Sequence, residues 1–323
     1  MKNSKLPYII AEIGFNHNGN ISTAKDMIIA AANTGANAVK FQSFRAKDIA
    51  LPSSPHYDLI KKGEMNHEQH LELFNASQEF GIDFISTPFS PWAIDLLEKI
   101  GVSSYKVASM DCTNFHLLKY IAQTGKKIYL STGMATLDEI SNTINFLKTN
   151  NSGQVVLLHC VSIYPPNEHH LNLNTIQLLH NIFNLPVGYS DHYPGTDACL
   201  LAAILGATVI ETHFTLDCLQ KEGDHFHSVE PDQLKQLIEK ILLFYSMKGK
   251  QTSVFQKPDK TFASTYRRGV YSSSHLPEGK ILQEEDLLFC RPESTFSPND
   301  LEKITGKKLL NDVPQYHPIE SVS

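Results

Sequence analysis

Two lysines carry the first hint of chemistry. Lys40 stands in AVKFQ and Lys106 in YKVAS, each inside a short apolar run, where an ammonium buried without an anion costs several kcal/mol. Either lysine alone could reach water from a strand end. Together they point to a bound phosphate or carboxylate, or to an internal partner such as Glu12. Ser109, Ser131, Thr132 and Ser190 place hydroxyl donors at comparable positions, and Gly133 in STGM lets a backbone approach a ligand closely. His192 and His213 lie at the ends of consecutive apolar runs, so their imidazoles are placed to share one divalent ion. Glu12 would complete a two-histidine, one-carboxylate set with open positions. His159, in LLHC, has a more apolar setting and reads as a hydrogen-bonded structural residue. His169, His170, His225 and His227 lie in polar loops and read equally well as solvated. Asp224 follows Gly223 in the loop after the last run, either in reach of a polyhydroxy substrate or simply solvated.

These residues need a frame that brings distant runs to one place. YIIAEIG (8–14), NAVKFQ (37–42), IDFIST (82–87), SSYKVAS (103–109), KKIYLS (126–131), QVVLLHC (154–160), LPVGYS (185–190) and ATVIETHF (207–214) read as strands. Helical patterns alternate with them, the first from a cap at Ser22 to Gly35, others near 67–80, 91–100 and 231–247. A long polar loop runs through Pro52 and Pro55. Alternation of this kind implies right-handed crossovers and a parallel sheet, and eight units in about 245 residues fit a closed α/β barrel, a (β/α)8 TIM barrel. No GxGxxG follows the first strand, which argues against an open dinucleotide-binding sheet. In such a barrel chemistry sits at the carboxyl ends of the strands. That is where Glu12, Lys40, Gln42, Thr87, Lys106, Ser109, Ser131, Ser190, His192, Glu211 and His213 fall. The barrel is expected over 1–247 and a connector over 248–265. A small β-rich domain is expected over 266–323, where short segments such as GVYSSS and DLLFCRP replace the alternation.

Composition narrows the function classes. The 323 residues are 41% hydrophobic and 19% charged, ordinary globular usage that sets aside disorder, collagen and coiled coil. A net charge of -6 lacks the basic excess that a nucleic acid or an acidic membrane favours. Five widely spaced cysteines without a CxxC argue against a disulfide framework or structural zinc. The apolar run Tyr8–Ala11 is too short for the core of a signal peptide, and no run approaches ~18 residues, so a soluble cytoplasmic protein is expected.

The runs AEIGFNHNG (11–19), VKFQ (39–42), FISTPFS (84–90), YKVAS (105–109), LSTGMA (130–135), LLHCVSIYP (157–165), GYSDH (188–192) and ETHFTLD (211–217) resemble the sialic acid synthase (N-acetylneuraminate synthase) family, in order and almost end to end. RRGVYSSSHLPEGKILQEEDLLFCRP (267–292) resembles the antifreeze-like (SAF) domain that follows the barrel in that family. The resemblance implies condensation of phosphoenolpyruvate with an N-acylated hexosamine-type sugar to a nine-carbon keto acid and phosphate, by C–O cleavage. It implies a divalent ion, Mn²⁺ with Mg²⁺ or Co²⁺ as alternatives. On this footing Lys40, Thr87, Lys106, Ser109, Ser131, Ser162, Tyr164 and Ser190 surround phosphoenolpyruvate. His192 and His213 hold the metal, Glu12 is the catalytic acid/base, and Gln42 and Asp224 meet the sugar. Arg268, or its neighbour Arg267, reaches a partner subunit's site in a domain-swapped homodimer. Ser109-Met110-Asp111 replaces the usual Ser-Gly-Glu, and Glu222-Gly223-Asp224 the usual Gly-Pro-Asp, departures that bear on the sugar. Legionaminate and pseudaminate synthases share the frame. The remaining alternatives are a synthase of eight- or seven-carbon acids, against which the appended domain argues, and a catalytically idle sugar-binding barrel.

Overall fold

A strand that turns one face to a barrel interior and the other to surrounding helices must bury both, so its two alternating sets of side chains have different tasks. The computed structural model describes residues 6–221, 223–249 and 257–323. It shows a closed eight-stranded parallel barrel of β1 (Tyr8–Glu12), β2 (Ala38–Ser43), β3 (Asp83–Pro88), β4 (Ser104–Val107), β5 (Lys127–Ser131), β6 (Val155–Cys160), β7 (Val187–Asp191) and β8 (Val209–His213). The ring closes by pairing of β1 with β8, and Glu12 lies between Lys40 on one side and His213 on the other. The expected TIM barrel is therefore the fold of this chain.

Helices α1 (Ile21–Thr34), α2 (Ala46–Ile49), α3 (Tyr57–Lys62), α4 (His67–Glu79), α5 (Pro91–Ile100), α6 (Phe115–Gln123), α7 (Leu137–Thr149), α8 (Thr175–Phe183), α9 (Asp197–Ile204) and α10 (Pro231–Lys248) connect or follow the strands. Their boundaries have local causes. Asn66 with Gln69, and Thr136 with Glu139, form capping boxes at α4 and α7, while Pro91 opens α5 and a left-handed Gly101 ends it. The cap of α1 is Asn20, not Ser22: the Asn20 side chain accepts from the Thr23 backbone N–H at 3.1 Å, and Ser22 falls in the first turn. The expected polar loop through Pro52 and Pro55 also carries structure, since α2 and α3 flank it.

Inside the barrel Ile10, Ala38, Ile85, Tyr129, Val156, Leu158 and Val209 form one apolar layer. Gly188 has no room for a side chain there, because an added Cβ would lie 2.7 Å from Leu158 Cδ2 and from Val209 Cβ. Outward-facing Ile9, Ala11, Val39, Phe41, Phe84, Leu130 and Leu157 pack against the helices in a larger core. Among the described residues no helix is long and apolar enough to cross a membrane.

The chain divides into two compact units, Met1–Lys248 and Gly249–Ser323. Of the stretch expected to be a connector, 250–256 lies outside the described residues and α11 (Lys257–Tyr266) is helical. The second unit pairs β9 (Gly269–Ser272) with β10 (Leu287–Cys290) in an antiparallel sheet and adds a short helix α12 (Leu301–Ile304). Val270, Leu276, Leu282, Leu287, Ile304, Leu309, Val313 and Ile319 form its own small core.

Candidate active site

One residue pair beyond the apolar layer, the inward positions change character. Ile10 gives way to Glu12, Ala38 to Lys40, Ile85 to Thr87, Ser104 to Lys106, Tyr129 to Ser131, Leu158 to Cys160, Gly188 to Ser190 and Val209 to Glu211. All eight of these second residues line a cavity of about 500 Å³ at the carboxyl end of the barrel. Gln42, Ser109, Ser162, Tyr164, His192, His213 and Asp224 line it as well. Thirteen of the fourteen residues expected at the site are thereby brought together, the exception being Arg268. That residue stands immediately before β9 in the second unit, exposed. Beside it Arg267 is also exposed, with its guanidinium 3.8 Å from Glu293.

The floor of the cavity is a chain of alternating charges. Lys40 Nζ lies 2.6 Å from Glu12 Oε2 and 3.9 Å from Glu211 Oε1, and it donates to Thr87 Oγ1 at 3.2 Å. Lys106 Nζ lies 3.6 Å from the same Glu211 oxygen, which also accepts from Ser190 Oγ at 2.9 Å. Gln42 Nε2 donates to Glu12 Oε1 at 3.2 Å. Both lysines are only 3% exposed, so neither head reaches bulk water and the anionic partners are obligatory. Burial pushes the Glu12 carboxyl above its ordinary range even against the attraction of Lys40. Burial opposes charge on Glu211 too, yet Lys106 and Lys40 together hold its carboxyl low. Burial lowers Lys106; for Lys40 it is outweighed by Glu12 and Glu211, which keep that ammonium charged. Of the two carboxyls Glu12 is thus the more easily protonated, and Glu211 is the fixed anion.

A hydroxyl collar surrounds this floor. Ser131 Oγ and Ser162 Oγ are buried without a hydrogen-bond partner, as is the second Glu211 oxygen. Gly133 makes the collar possible: an added Cβ would sit 2.5 Å from Ser162 Oγ and 2.7 Å from Ser109 Oγ, whereas its bare N–H donates to Ser109 Oγ at 3.1 Å. Buried unsatisfied hydroxyls beside two ammonium groups are what a site for a multiply charged oxyanion requires.

Above the floor stand imidazoles. The rings of His192 and His213 are centred 5.2 Å apart, and Tyr164 lies 4.2 Å from His192. His192 Nδ1 donates to Val161 O at 2.9 Å, so Nε2 is the nitrogen left for a ligand in the neutral ring; burial opposes charge on it, but Cys160 and Val161 O raise its pKa above the ordinary value. His213 Nδ1 has no hydrogen bond, and burial with His192 and His227 nearby pushes its pKa well down, so it is a neutral ligand-type imidazole. This pair fits a divalent cation with open positions. The carboxylate facing it is Asp224, whose Oδ2 is 3.6 Å from His213 Nδ1, and not Glu12, which is engaged by Lys40 and Gln42. No group of three or more His, Cys, Asp or Glu side chains among the described residues is arranged to hold a metal.

Three neighbours escaped the sequence reading. Glu211, expected at a strand end without an assigned role, lies two residues after inward Val209 and so on the same face as the lysines. Cys160, which carries no sequence pattern of a site, lines the cavity with Sγ 3.9 Å from His192 Nδ1. His227 is 2% exposed and its ring is centred 4.7 Å from that of His213, where a solvated loop residue was an open alternative. No local pattern marks His227, because a short turn after β8 folds it inward. His159 behaves as expected, with Nε2 donating to Leu171 O at 2.7 Å. The outer wall is apolar: Ile49 of α2, Ile60 of α3, Phe89, Met110 and Met134.

Comparison with known proteins adds to this geometry. The NeuB family model matches residues 27–253. The N,N'-diacetyllegionaminic acid synthase of Campylobacter jejuni is 37% identical over 94% of this chain and 96% of its own. The human N-acetylneuraminate-9-phosphate synthase is 32% identical over 95% and 90%. The crystal structure of N-acetylneuraminic acid (sialic acid) synthetase from Leptospira borgpetersenii, in complex with citrate, superposes with a TM-score of 0.77 at 36% identity, covering 80% of this chain and 90% of that one. A family match over most of the barrel, and relatives of similar sequence along nearly the full length, place the chain in the NeuB family.

Proposed function

We propose that the chain is a nonulosonic acid synthase that condenses phosphoenolpyruvate with an open-chain N-acylated amino sugar, giving a nine-carbon keto acid and phosphate. The observation that carries this reading is the floor of the cavity, where Lys40 and Lys106 are buried on either side of Glu211 under a collar of unpartnered hydroxyls. Phosphoenolpyruvate supplies a phosphate and a carboxylate within one small molecule, and the two ammonium groups neutralise them where water is excluded. Thr87, Ser109, Ser131 and Ser162 donate to the remaining oxygens, and Ser190, whose hydroxyl donates to Glu211, borders the same anion, so that the enol is held with C3 facing the sugar.

His192 and His213 would hold a divalent ion, for which Mn²⁺ is our first choice, supplying Lewis-acid polarisation of the acceptor's carbonyl. The other steps belong to the chain's own groups. As C3 bonds to the aldehyde carbon, C2 becomes electron-poor and takes the oxygen of a water molecule. Loss of phosphate by C–O cleavage then leaves the C2 ketone. Glu12, protonated more readily than Glu211 and bonded to Gln42 and Lys40, exchanges the proton that this sequence moves between water and the leaving group. Asp224 and Gln42, which line the same cavity, would take hydroxyls of the acceptor. Arg268, or Arg267, is proposed to serve the acceptor within a homodimer, which sedimentation and the sugar KM of Arg268→Ala test.

For the acceptor, one observation favours a deoxy sugar bearing two N-acyl groups over N-acetylmannosamine. The outer wall of Ile49, Ile60, Phe89, Met110 and Met134 suits methyl groups better than hydroxyls. This choice resembles the acceptor class that a legionaminate-type synthase would use. The test is a panel of N-acylated aldoses with phosphoenolpyruvate and Mn²⁺, products identified by mass. Phosphate release that needs both sugar and metal supports the reading. Ligand binding with no phosphate release from any sugar would mean an idle barrel instead.

A further inference from the structure

The layer between the barrel and its helices is largely apolar, yet where β2 and β3 meet α4 it holds three polar side chains with 0% exposure: Ser43, Ser86 and His70. Burying a hydroxyl or an imidazole there is unfavourable unless every polar atom is paired. All of them are. Ser43 Oγ is 2.8 Å from His70 Nε2 and 2.7 Å from Ser86 Oγ. Ser86 Oγ is 3.1 Å from Phe41 O, and His70 Nδ1 is 2.8 Å from Asn66 O.

The hydrogens in this chain can be assigned. A carbonyl only accepts, so His70 Nδ1 carries the proton toward Asn66, and burial keeps the ring neutral. Nε2 is then a lone pair, and the Ser43 hydroxyl must donate to it. Ser86 donates in turn, to Ser43 Oγ or to Phe41 O. Asn66 also caps α4, so the chain is anchored in a helix terminus.

The position of the two serines matters more than their pairing. Ser43 follows Gln42 and Ser86 precedes Thr87, and in a strand adjacent residues face opposite sides while sharing a peptide plane. A rotation of either strand tip that moved a serine would move its neighbour inside the cavity as well. Gln42 holds Glu12 at 3.2 Å and Thr87 holds Lys40 at 3.2 Å. An apolar β-branched residue at 43 or 86 would fill similar space without fixing the direction of the tip.

We infer that His70 is a positioning residue: through Ser43 and Ser86 it sets the tips of β2 and β3, and through them the Gln42 and Thr87 groups that hold the Glu12–Lys40 pair. For turnover this rests on the function proposed above; for geometry it stands alone. The experiment uses the full chain with phosphoenolpyruvate, Mn²⁺ and an accepted sugar from the panel. His70→Leu is expected to lower kcat about tenfold, since a small misplacement of reacting groups is costly, and Ser43→Ala to lower it less. His70→Gln keeps an acceptor for Ser43 and restores most of the rate. Gln42→Ala costs clearly less in the His70→Leu background than alone, because the two act through one contact. Unchanged kcat with only a lowered Tm, or full additivity with Gln42→Ala, overturns the inference. If His70→Leu fails to fold, Ser43→Ala and Ser86→Ala carry the same comparison. A second measurement needs no substrate: nitrogen NMR of the histidine-labelled chain, the His70 signals identified by their loss in His70→Gln. A proton on Nδ1 and none on Nε2 is expected, and the reverse sinks the relay. Absence of turnover with every sugar would refute the proposed function instead, and the nitrogen pattern then decides the relay.

Discussion

The two ends of the barrel interior are built from the same strands, one side-chain pair apart, and they differ in nearly every physical property. At the amino end Tyr8 and Tyr129 stack at 6.2 Å, Lys127 lies over the Tyr129 ring at 4.6 Å, and Tyr8 OH bonds Asp83. Above them the layer of Ile10, Ile85, Val156, Leu158 and Val209 is closely packed. Two residues further on, four charged groups face a cavity together with the unpartnered hydroxyls of Ser131 and, just past β6, Ser162. One end gains stability from burial and dispersion; the other holds polar groups whose partners are incomplete until a ligand arrives. Because the strand is a rigid ladder, the first end braces the second without sharing its chemistry.

This contrast can be broken most severely at the floor of the cavity. Lys106→Met is expected to lower kcat/KM for phosphoenolpyruvate by at least about 10³-fold, through loss of a buried cation and release of Glu211 from one partner. Steady-state phosphate release checks it, and a loss below about tenfold would remove Lys106 from the anion site. Next in size, His213→Ala is expected to abolish Mn²⁺ binding by calorimetry while the circular dichroism of the fold is kept. Retained binding would reassign the metal. The opposite pattern belongs to the apolar layer. Ile85→Ala should lower stability by about 2–5 kcal/mol in denaturant titration, with far less effect on kcat than either change above. Comparable losses of rate from both layers would erase the division drawn between them.

The smallest effect is expected in the second unit, where an ion pair serves only the fold. Lys280 Nζ lies 2.8 Å from Asp286 Oδ1, and the Gln283 N–H donates to Oδ2 at 2.9 Å. Slight burial works against the charge, but these two contacts hold the carboxyl below its ordinary 3.8. A folded pKa below the unfolded one means stability that is complete above the unfolded value and is lost as pH falls through the folded one. Thermal melts of this unit should therefore be flat from pH 7 to about 5 and fall only below the ordinary carboxylate range. Asp286→Asn should shallow that fall, and an unchanged acid slope would show the pair to be inert.

Much of the architecture was legible in the chain. Each strand run is apolar and of strand length, several come directly after a helix stop such as Gly35, Gly81 or Gly101, and buried parallel strands have few other ways to look. Lys40 and Lys106 were legible for the opposite reason, since an ammonium within such a run contradicts its surroundings. The less legible features all depend on chain segments meeting across the fold. Asn20 outcompetes Ser22 for the cap because of where the backbone turns. Ile49 and Ile60 became the wall of a cavity because α2 and α3 fold over the barrel mouth. Glu211 acquired its role from lysines about a hundred or more residues away, and Asp224 displaced Glu12 as the carboxylate beside His213.

The sequence by itself determined which side chains lie on the inner face of each strand and at which end, because a period of two residues and a parallel crossover leave little choice. The tertiary structure decided which of them touch: that Lys40 pairs with Glu12 at 2.6 Å, that Glu211 lies between both lysines, and that His227 turns inward beside His213. The reason is the range of the forces. Alternation and helix stops act over a few bonds along the chain, whereas the pairing of charges in a low-dielectric interior depends on ångström separations that only ring closure of the barrel sets.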